Sequence, residues 1–184
     1  PTNKIKGGVC KRLLLLNMKQ NEIPNLLYFL SHELIEEVNK YPKTSFYKSY
    51  PIEKSSGGVR WIDAPHEELK ELQYEILYEI LYKFSTHPNA VGFKLGNSIP
   101  ESVQKHIGKE LVITIDLKDF FNSISIDRVR KSVNFILSYL SKHITRQPVK
   151  NEEVNILSEW LTYQGTTPQG TPTSPALTNL ICYP

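Results

Sequence analysis

Two carboxylates follow an apolar run in the middle of the chain. Leu111 to Ile115 is a continuous apolar, largely β-branched stretch, and Asp116 and Asp119 come soon after it. Such a run is typical of a buried strand. Carboxylates just past the end of a strand are well placed to hold Mg²⁺, which prefers hard oxygen ligands. The alternative is structural, because aspartate also favours turns and helix N-caps. The pair by itself favours that alternative.

A second candidate site is the Gly/Pro/Thr-rich stretch from Gly165 to Thr173. Gly170 would let the backbone approach a ligand closely, and Gln169 offers an amide for a sugar or a phosphate. Ser174-Pro175 predicts that a helix starts there, with free N–H groups that suit an anion. An ordinary proline-rich turn before a capped helix explains the same residues and is the better interpretation of this stretch alone.

The elements that must position these residues are mostly helical. Apolar spacing and end signals predict a β-hairpin over Tyr50 to Ala64, with Gly57-Gly58 as its turn. The same signals predict several helices, over residues 21–40, 65–84, 100–108, 127–140, 152–163 and from 175 onward. Helices outnumber scattered strands, so the predicted fold class is α+β. Trp61 and Trp160 are expected to pack in the core or the hairpin, with base stacking as the alternative.

Composition excludes several classes of protein. With 184 residues, 40% hydrophobic and 22% charged, the chain is neither disordered nor collagen-like nor a disulfide miniprotein. Only Cys10 and Cys182 are present, which favours an intracellular or redox-indifferent protein. No run of 18 apolar residues predicts a membrane span. Ten Lys/Arg against five Asp/Glu in residues 1–60 suit contact with nucleic acid, although charge alone favours a solvated surface.

Four motifs in order resemble the reverse transcriptases, specifically the bacterial retron-type branch. Residues 57–73 are similar to the fingers motif, in which a basic hairpin leads into a helix, and residues 90–108 fill the next block. Residues 115–124 resemble the first palm motif, and residues 168–180 resemble the second. The resemblance implies an α+β right-hand polymerase fold. It divides the chain into an N-terminal helical region (1–44), fingers (45–110) and part of the palm (111–184).

The resemblance also implies the chemistry, which is two-metal nucleotidyl transfer onto a primer 3′-OH. In the family, the residue that matches Asp116 is catalytic and binds two Mg²⁺ ions, and the main-chain carbonyl that matches Leu117 also contacts metal. The aromatic ring that matches Phe121 packs under the sugar of the incoming nucleotide. A ring at that place excludes a 2′-OH, so it favours dNTPs over rNTPs.

Other positions acquire expected roles by the same matching. Arg60 matches an arginine that lies over the incoming base and touches its α-phosphate, and Lys54 falls near a phosphate-binding lysine. Gln169 and Gly170 match residues that line the nucleotide pocket. The expected nucleotide-binding set is Lys54, Arg60, Asp119, Phe120, Phe121, Gln169 and Gly170, and the expected nucleic-acid contacts are Lys43, Lys48 and His106.

The implied function is RNA-directed DNA synthesis in the bacterial cytoplasm, in a retron or antiphage-defence system. The expected partners are an RNA template, a DNA primer and product, and dNTPs, without a membrane. A structured non-coding RNA and a defence effector protein are further candidates. Retron sequences typically carry Asn-Ala-x-x-His before the first palm motif, whereas residues 102–106 here read Ser-Val-Gln-Lys-His. This difference keeps other defence-associated reverse transcriptases open.

The family draws two more catalytic carboxylates from a Tyr-x-Asp-Asp hairpin, and no such motif occurs in this sequence. No thumb region is recognised either. We therefore expect fingers plus a partial palm, with the 184 residues alone inactive. One alternative is a non-catalytic nucleic-acid-binding or assembly protein. Another is a template-independent polymerase of the abortive-infection type.

Overall fold

The computed structural model describes residues 28–55, 57–96 and 99–183. Within these ranges the chain is α+β, as predicted, with one two-stranded antiparallel sheet among mostly helical elements. The strands are β1 (Tyr47–Glu53) and β2 (Val59–Pro65). The helices are α1 (His32–Asn39), α2 (Glu67–Glu79), α3 (Ile99–Gln104), α4 (Ile126–Leu140), α5 (Asn151–Trp160) and α6 (Ser174–Ile181).

The predicted hairpin is confirmed. β1 pairs with β2 in a register that runs from Tyr47 opposite Pro65 to Glu53 opposite Val59. Gly57 and Gly58 both have φ of +85°, which glycine adopts at no steric cost because it has no Cβ. Lys54 donates its backbone N–H to the carbonyl of Gly58 at 3.0 Å, so the turn is closed immediately beyond the last strand pair.

Helix α2 forms where the sequence predicts it but ends earlier. Its start is capped by His66, whose Nδ1 accepts from the backbone N–H of Leu69 at 3.2 Å. Leu69, Leu72 and Ile76 are fully buried along one face, which is the predicted apolar stripe. The α-helix ends at Glu79, and a short 3-10 turn continues the chain from Leu81.

A buried polar group connects the hairpin to two helices. Gln73 of α2 is fully buried, and its Nε2 donates to the hydroxyl of Tyr47 at 2.9 Å and to the carbonyl of Trp160 at 2.7 Å. The Tyr47 hydroxyl also donates to the same carbonyl at 3.2 Å. Burial raises the pKa of Tyr47, which keeps this hydroxyl protonated as a donor. Hydrogen bonding offsets the cost of burying the Tyr47 hydroxyl and the Gln73 Nε2 group, although Gln73 Oε1 is buried without a hydrogen-bond partner among the described residues, and it fixes how the elements meet.

The core below the candidate site is formed by α4 packed against α5. Val129, Val133 and Leu137 are buried on one face of α4, and Leu157 and Trp160 are buried on α5. Both helices were predicted within one to three residues of their ends. Helix α6 begins at Ser174 with Thr173 as its N-cap, one residue earlier than the sequence indicates.

Three further predicted elements differ in the structure. The helix predicted over residues 100–108 ends at Gln104, and residues 105–108 form a turn. The helix predicted over residues 21–40 is interrupted, because Ser31 is extended (φ −66°, ψ 126°) before α1 begins at His32. The backbone N–H of Ser31 donates to Glu75 Oε2 of α2 at 2.7 Å, and this bond replaces a helical one. The part of that prediction before Tyr28 lies outside the described residues.

The strand predicted over Leu111 to Ile115 is wrong. Residues 111–117 have no regular secondary structure. Their apolar side chains are exposed, at 75% for Leu111, 72% for Ile113 and 82% for Ile115. A strand needs a neighbouring backbone to pair with, and none of the strands in the described ranges lies beside this run. Apolar periodicity indicates a surface that can be buried, but it does not supply the partner that buries it.

In the part of the chain that the structure describes, none of the helices has both the length and the apolar character needed to cross a membrane.

Candidate functional site

One cavity brings together residues from the hairpin, from the segment after residue 111 and from the loop before α6. Its volume is about 600 Å³. The hairpin contributes two cations, Lys54 and Arg60, and the central segment contributes both carboxylates, Asp116 and Asp119. The other residues of its lining are Val59, Trp61, Phe93, Leu117, Lys118, Phe120, Phe121, Asn122, Gln169, Thr178 and Asn179.

Most of the residues singled out from the sequence line this cavity. They are Lys54, Arg60, Asp116, Leu117, Asp119, Phe120, Phe121 and Gln169. Four others are elsewhere. Gly170 is next to Gln169 but does not line the cavity, and Lys43 pairs with Glu159 of α5 at 2.5 Å. Lys48 is exposed on β1, and His106 is exposed in the turn after α3. Nucleotide binding by Gly170 and nucleic-acid contacts by Lys43, Lys48 and His106 stay predictions.

Backbone hydrogen bonds join the segment after residue 111 to the loop before α6, although the two are some 45 residues apart in sequence. Thr167 donates its N–H to the carbonyl of Ile124 at 3.0 Å, and Ile126 donates to the carbonyl of Gly165 at 2.8 Å. Ile124 is buried, so one strand-like contact fixes both segments against the core. This pairing explains why Gln169 and Asp119 face the same space.

The turn that carries Asp119 has an uncommon backbone. Asp119 has φ of +49°, a left-handed conformation that aspartate tolerates better than most residues. Its carbonyl accepts from the N–H of Ser123 at 2.9 Å, and the Ser123 hydroxyl donates to the carbonyl of Phe120 at 2.7 Å. A 3-10 turn over Phe121–Ser123 follows. The chain thus reverses tightly after Asp116, which places Asp119 and Phe121 on the same cavity wall.

The hairpin is docked directly on the loop before α6. Asp63 of β2 donates its N–H to the carbonyl of Gln169 at 2.8 Å. Gly170 has φ of +123°, and a Cβ added there would stand 2.6 Å from Ile62 Cγ2 and 3.3 Å from the carbonyl of Asp63. The sequence predicts that Gly170 allows a ligand to approach. In the structure the backbone and side chain that approach it belong to β2.

Replacing Gly170 with alanine should therefore destabilise the protein. The new methyl group meets Ile62 below contact distance, and its backbone is strained for any L-residue, so we expect a loss of about 2–4 kcal/mol. Chemical denaturation followed by tryptophan fluorescence measures it. Gly92→Ala is the matched control, because nothing lies within 4 Å of its Cβ position and its φ is not in the left-handed range.

Adding Ile62→Ala to Gly170→Ala removes the clashing Cγ2 atom and should recover part of the lost stability, which gives a coupling energy for the contact. Equal effects of Gly170→Ala and Gly92→Ala would contradict this description of the hairpin contact.

The charges that line the cavity are mixed. Lys54, Arg60 and Lys118 are cationic, and Asp116 and Asp119 are anionic. Among the described residues none of these five forms an ion pair with another side chain, so their charges are available to a ligand. Cations and carboxylates around one space suit a ligand that carries both phosphate groups and divalent cations.

The donor set of the cavity fits Mg²⁺ in part. Two carboxylates and the main-chain carbonyl of Leu117 are hard oxygen donors of the kind that Mg²⁺ prefers. Within the described ranges, no group of three or more His, Cys, Asp and Glu side chains lies close enough together to hold a metal ion. Asp116 and Asp119 alone therefore do not make a complete side-chain site for a metal ion within the described ranges.

Several cavity residues were missed or misjudged from the sequence. Trp61 was expected to be packed, yet 59% of its surface is exposed at the cavity, whereas Trp160 is buried as expected. Phe93, 65% exposed, carried no expected role. Asn179 lies in the segment that resembles the second palm motif, but its contact is long-range, since its Nδ2 donates to the carbonyl of Gly92 at 2.8 Å. In the sequence, only the turn-forming residues beside Phe93 could have indicated that this ring lies in an exposed loop.

Comparison with known proteins gives the class. The family described as reverse transcriptase (RNA-dependent DNA polymerase) matches residues 52–184, which include every segment of the cavity. The chain therefore belongs to the reverse transcriptase family.

Among individual proteins, the chain is similar to several retron reverse transcriptases. It is 38% identical over 144 residues to the retron Mx65 reverse transcriptase of Myxococcus xanthus, which covers 73% of this chain and 33% of that protein. It is 36% identical over 138 residues to the retron Ec86 reverse transcriptase of Escherichia coli, which covers 74% of this chain and 40% of that protein. The retron Mx162 reverse transcriptase of Myxococcus xanthus is 31% identical over 169 residues, covering 87% and 33%. The chain thus spans about a third to two fifths of the length of these relatives.

Proposed function

We propose that the whole protein is an RNA-directed DNA polymerase of the retron type. In this proposal residues 45–110 form the fingers and residues 111–184 form part of the palm of a right-hand fold. One observation carries it: a single cavity joins the hairpin cations Lys54 and Arg60 to the carboxylate of Asp116 and the ring of Phe121. Nucleotidyl transfer requires groups that bind phosphate, metal and sugar, and candidates for all three thus line one cavity.

In this proposal each cavity residue contacts a different part of the incoming nucleotide. Lys54 and Arg60 neutralise the triphosphate from the hairpin side, and Arg60 also covers the base. The turn at Asp119 presents backbone groups to the phosphates. Phe121 closes the space beneath the sugar, where a 2′-OH would collide with its ring. Gln169 offers its amide from the opposite wall, held there by the bond from Asp63 to its carbonyl.

Asp116 and the carbonyl of Leu117 would hold the metal ions, together with carboxylates from elsewhere in the whole protein. Bound there, two Mg²⁺ ions lower the pKa of the primer 3′-OH and stabilise the charge on the transferred phosphate and the pyrophosphate. Asp116 supplies negative charge that is uncompensated by any ion pair within the described residues. Its contribution would be to hold the cations in the cavity that receives the nucleotide.

The proposed partners are an RNA template, a DNA primer with its product, and dNTPs. The similarity to retron reverse transcriptases adds a structured non-coding RNA as a further partner. A defence effector protein is proposed on the same similarity.

Primer extension by the whole protein tests the proposal. With an RNA template, a DNA primer, dNTPs and Mg²⁺ we expect a DNA product. Chelation with EDTA should abolish the product and added Mg²⁺ should restore it. Absence of extension by the whole protein under all these conditions would refute polymerase function.

The alternative of a non-catalytic nucleic-acid-binding protein is favoured by one observation, the presence of only two carboxylates on the described cavity wall. Residues 1–184 alone should then bind a primer–template without extending it. Contacts from the basic first sixty residues would be dominated by phosphate, so binding should weaken steeply between 50 and 200 mM salt. Extension by this piece alone would show that its own carboxylates suffice.

A further inference from the structure

The loop between residues 87 and 96 carries a strained aromatic residue. Phe93 has φ of +57°, in the left-handed region that a bulky residue with a Cβ rarely adopts. Burial does not compensate for this conformation, because 65% of the Phe93 surface is exposed. A strained conformation that packing does not explain is a reason to look for a function.

The loop is held in place on the N-terminal side of the strained residue. The carbonyl of Gly92 accepts from Asn179 Nδ2 of α6 at 2.8 Å. Lys105 Nζ donates to the carbonyl of Pro88 at 3.0 Å, and Ala90 donates its N–H to the carbonyl of His87 at 2.9 Å. These bonds keep the ring of Phe93 at the edge of the cavity.

A second exposed aromatic residue faces the same cavity from a different element. Trp61 of β2 is 59% exposed and follows Arg60 directly. The bond from Asp63 to Gln169 fixes the end of the hairpin strand on which it stands. Two aromatic rings, each on a backbone that is anchored to the rest of the molecule, therefore border the space that also contains Asp116.

We propose that Phe93 and Trp61 form a stacking platform for an unpaired base of the template strand, next to the nucleotide pocket. This inference rests on the proposed function. Aromatic faces stack on every base, so they tolerate a template whose sequence changes at each step. Arg60 and Phe121 already serve the base and the sugar of the incoming nucleotide, so the two remaining aromatic groups fit the strand that pairs with it.

Binding of two primer–template duplexes by the whole protein tests the platform. One duplex has a four-nucleotide template overhang with 2-aminopurine as its first unpaired base, and the other is blunt. Phe93→Ala and Trp61→Ala should each weaken binding of the overhang duplex about tenfold, which is within the range for loss of one stacked base. Both should also relieve quenching of the 2-aminopurine. Binding of the blunt duplex should not change.

Leu95→Ala is the matched control, because Leu95 is 66% exposed in the same loop and does not line the cavity. Phe93→Tyr should retain overhang binding. Phe93→Gly separates function from folding, because glycine relieves the strained backbone. It should raise or preserve thermal stability while it weakens overhang binding.

Equal loss on both duplexes, or a loss on neither, would overturn the platform. A rise in KM for the dNTP with unchanged overhang binding would also overturn it, by assigning the rings to the incoming base. The proposed function can fail separately: a protein that shows the overhang effect but extends no primer retains the platform and is not a polymerase.

Discussion

Replacing Asp116 with alanine should reduce primer extension by the whole protein about a thousandfold, the upper end of the cost of removing one group that stabilises transition-state charge. Asp116 is exposed on the cavity wall and has no ion-pair partner among the described side chains. Its loss should consequently change the free energy of unfolding by less than about 0.5 kcal/mol. Single-turnover extension with Mg²⁺ and thermal unfolding measure the two quantities.

Asp127→Ala is the matched control for this variant. Asp127 is an exposed carboxylate in the first turn of α4, paired with Arg130 at 3.1 Å and away from the cavity lining. It should leave extension unchanged. Activity near the wild-type level in Asp116→Ala would remove Asp116 from the metal site, and a large loss in Asp127→Ala would show that the assay reports folding instead.

Replacing Phe121 with alanine should relax the choice of sugar. Phe121 lines the cavity beside Asp119, and its ring centroid is 5.4 Å from that of Phe120. Removing the ring opens the space that a 2′-OH would occupy. Discrimination against rNTPs should fall by about 1–3 kcal/mol, a 10- to 200-fold change in the ratio of kcat/KM values. Steady-state kinetics with one dNTP and its matching rNTP measure the ratio.

Phe135→Ala provides a comparison, because Phe135 is 66% exposed on α4 and lies outside the cavity. It should not change sugar discrimination. If the ratio of kcat/KM values is the same for Phe121→Ala and the wild type, Phe121 is a packing residue and another group selects the sugar.

The sequence was most informative where local chemistry decides the structure. Gly57-Gly58 between alternating residues predicts the hairpin, and spacing of three and four along α2 and α4 predicts which faces are buried. The sequence indicates the carboxylates and Gln169 as site candidates, and the resemblance adds the hairpin cations. They line one cavity because Thr167 pairs with Ile124 across 43 residues of sequence and Asp63 of the hairpin bonds to the carbonyl of Gln169.

The sequence was least informative where a residue's environment depends on distant parts of the chain. Tryptophan is a residue type that usually packs in a core. The ring of Trp61 is nevertheless exposed, because β2 is docked on the loop before α6. The glycine at position 170 indicates that another group packs closely against the backbone there, but the sequence does not identify that group, which is Ile62. The left-handed backbone of Phe93 has no signal in its own residue type, because any L-residue there is unfavourable.

The exposed apolar run at residues 111–117 also bears on how the chain behaves in solution. Charged residues and prolines discourage self-association of extended segments, and Leu111 to Ile115 contains neither. Flanking charges at Glu110 and Asp116 act as gatekeepers, but only at its ends. Wherever this run is left uncovered, copies of the chain can pair edge to edge. The apparent mass measured by light scattering should then rise with protein concentration, and a charged substitution at Ile113 should improve solubility.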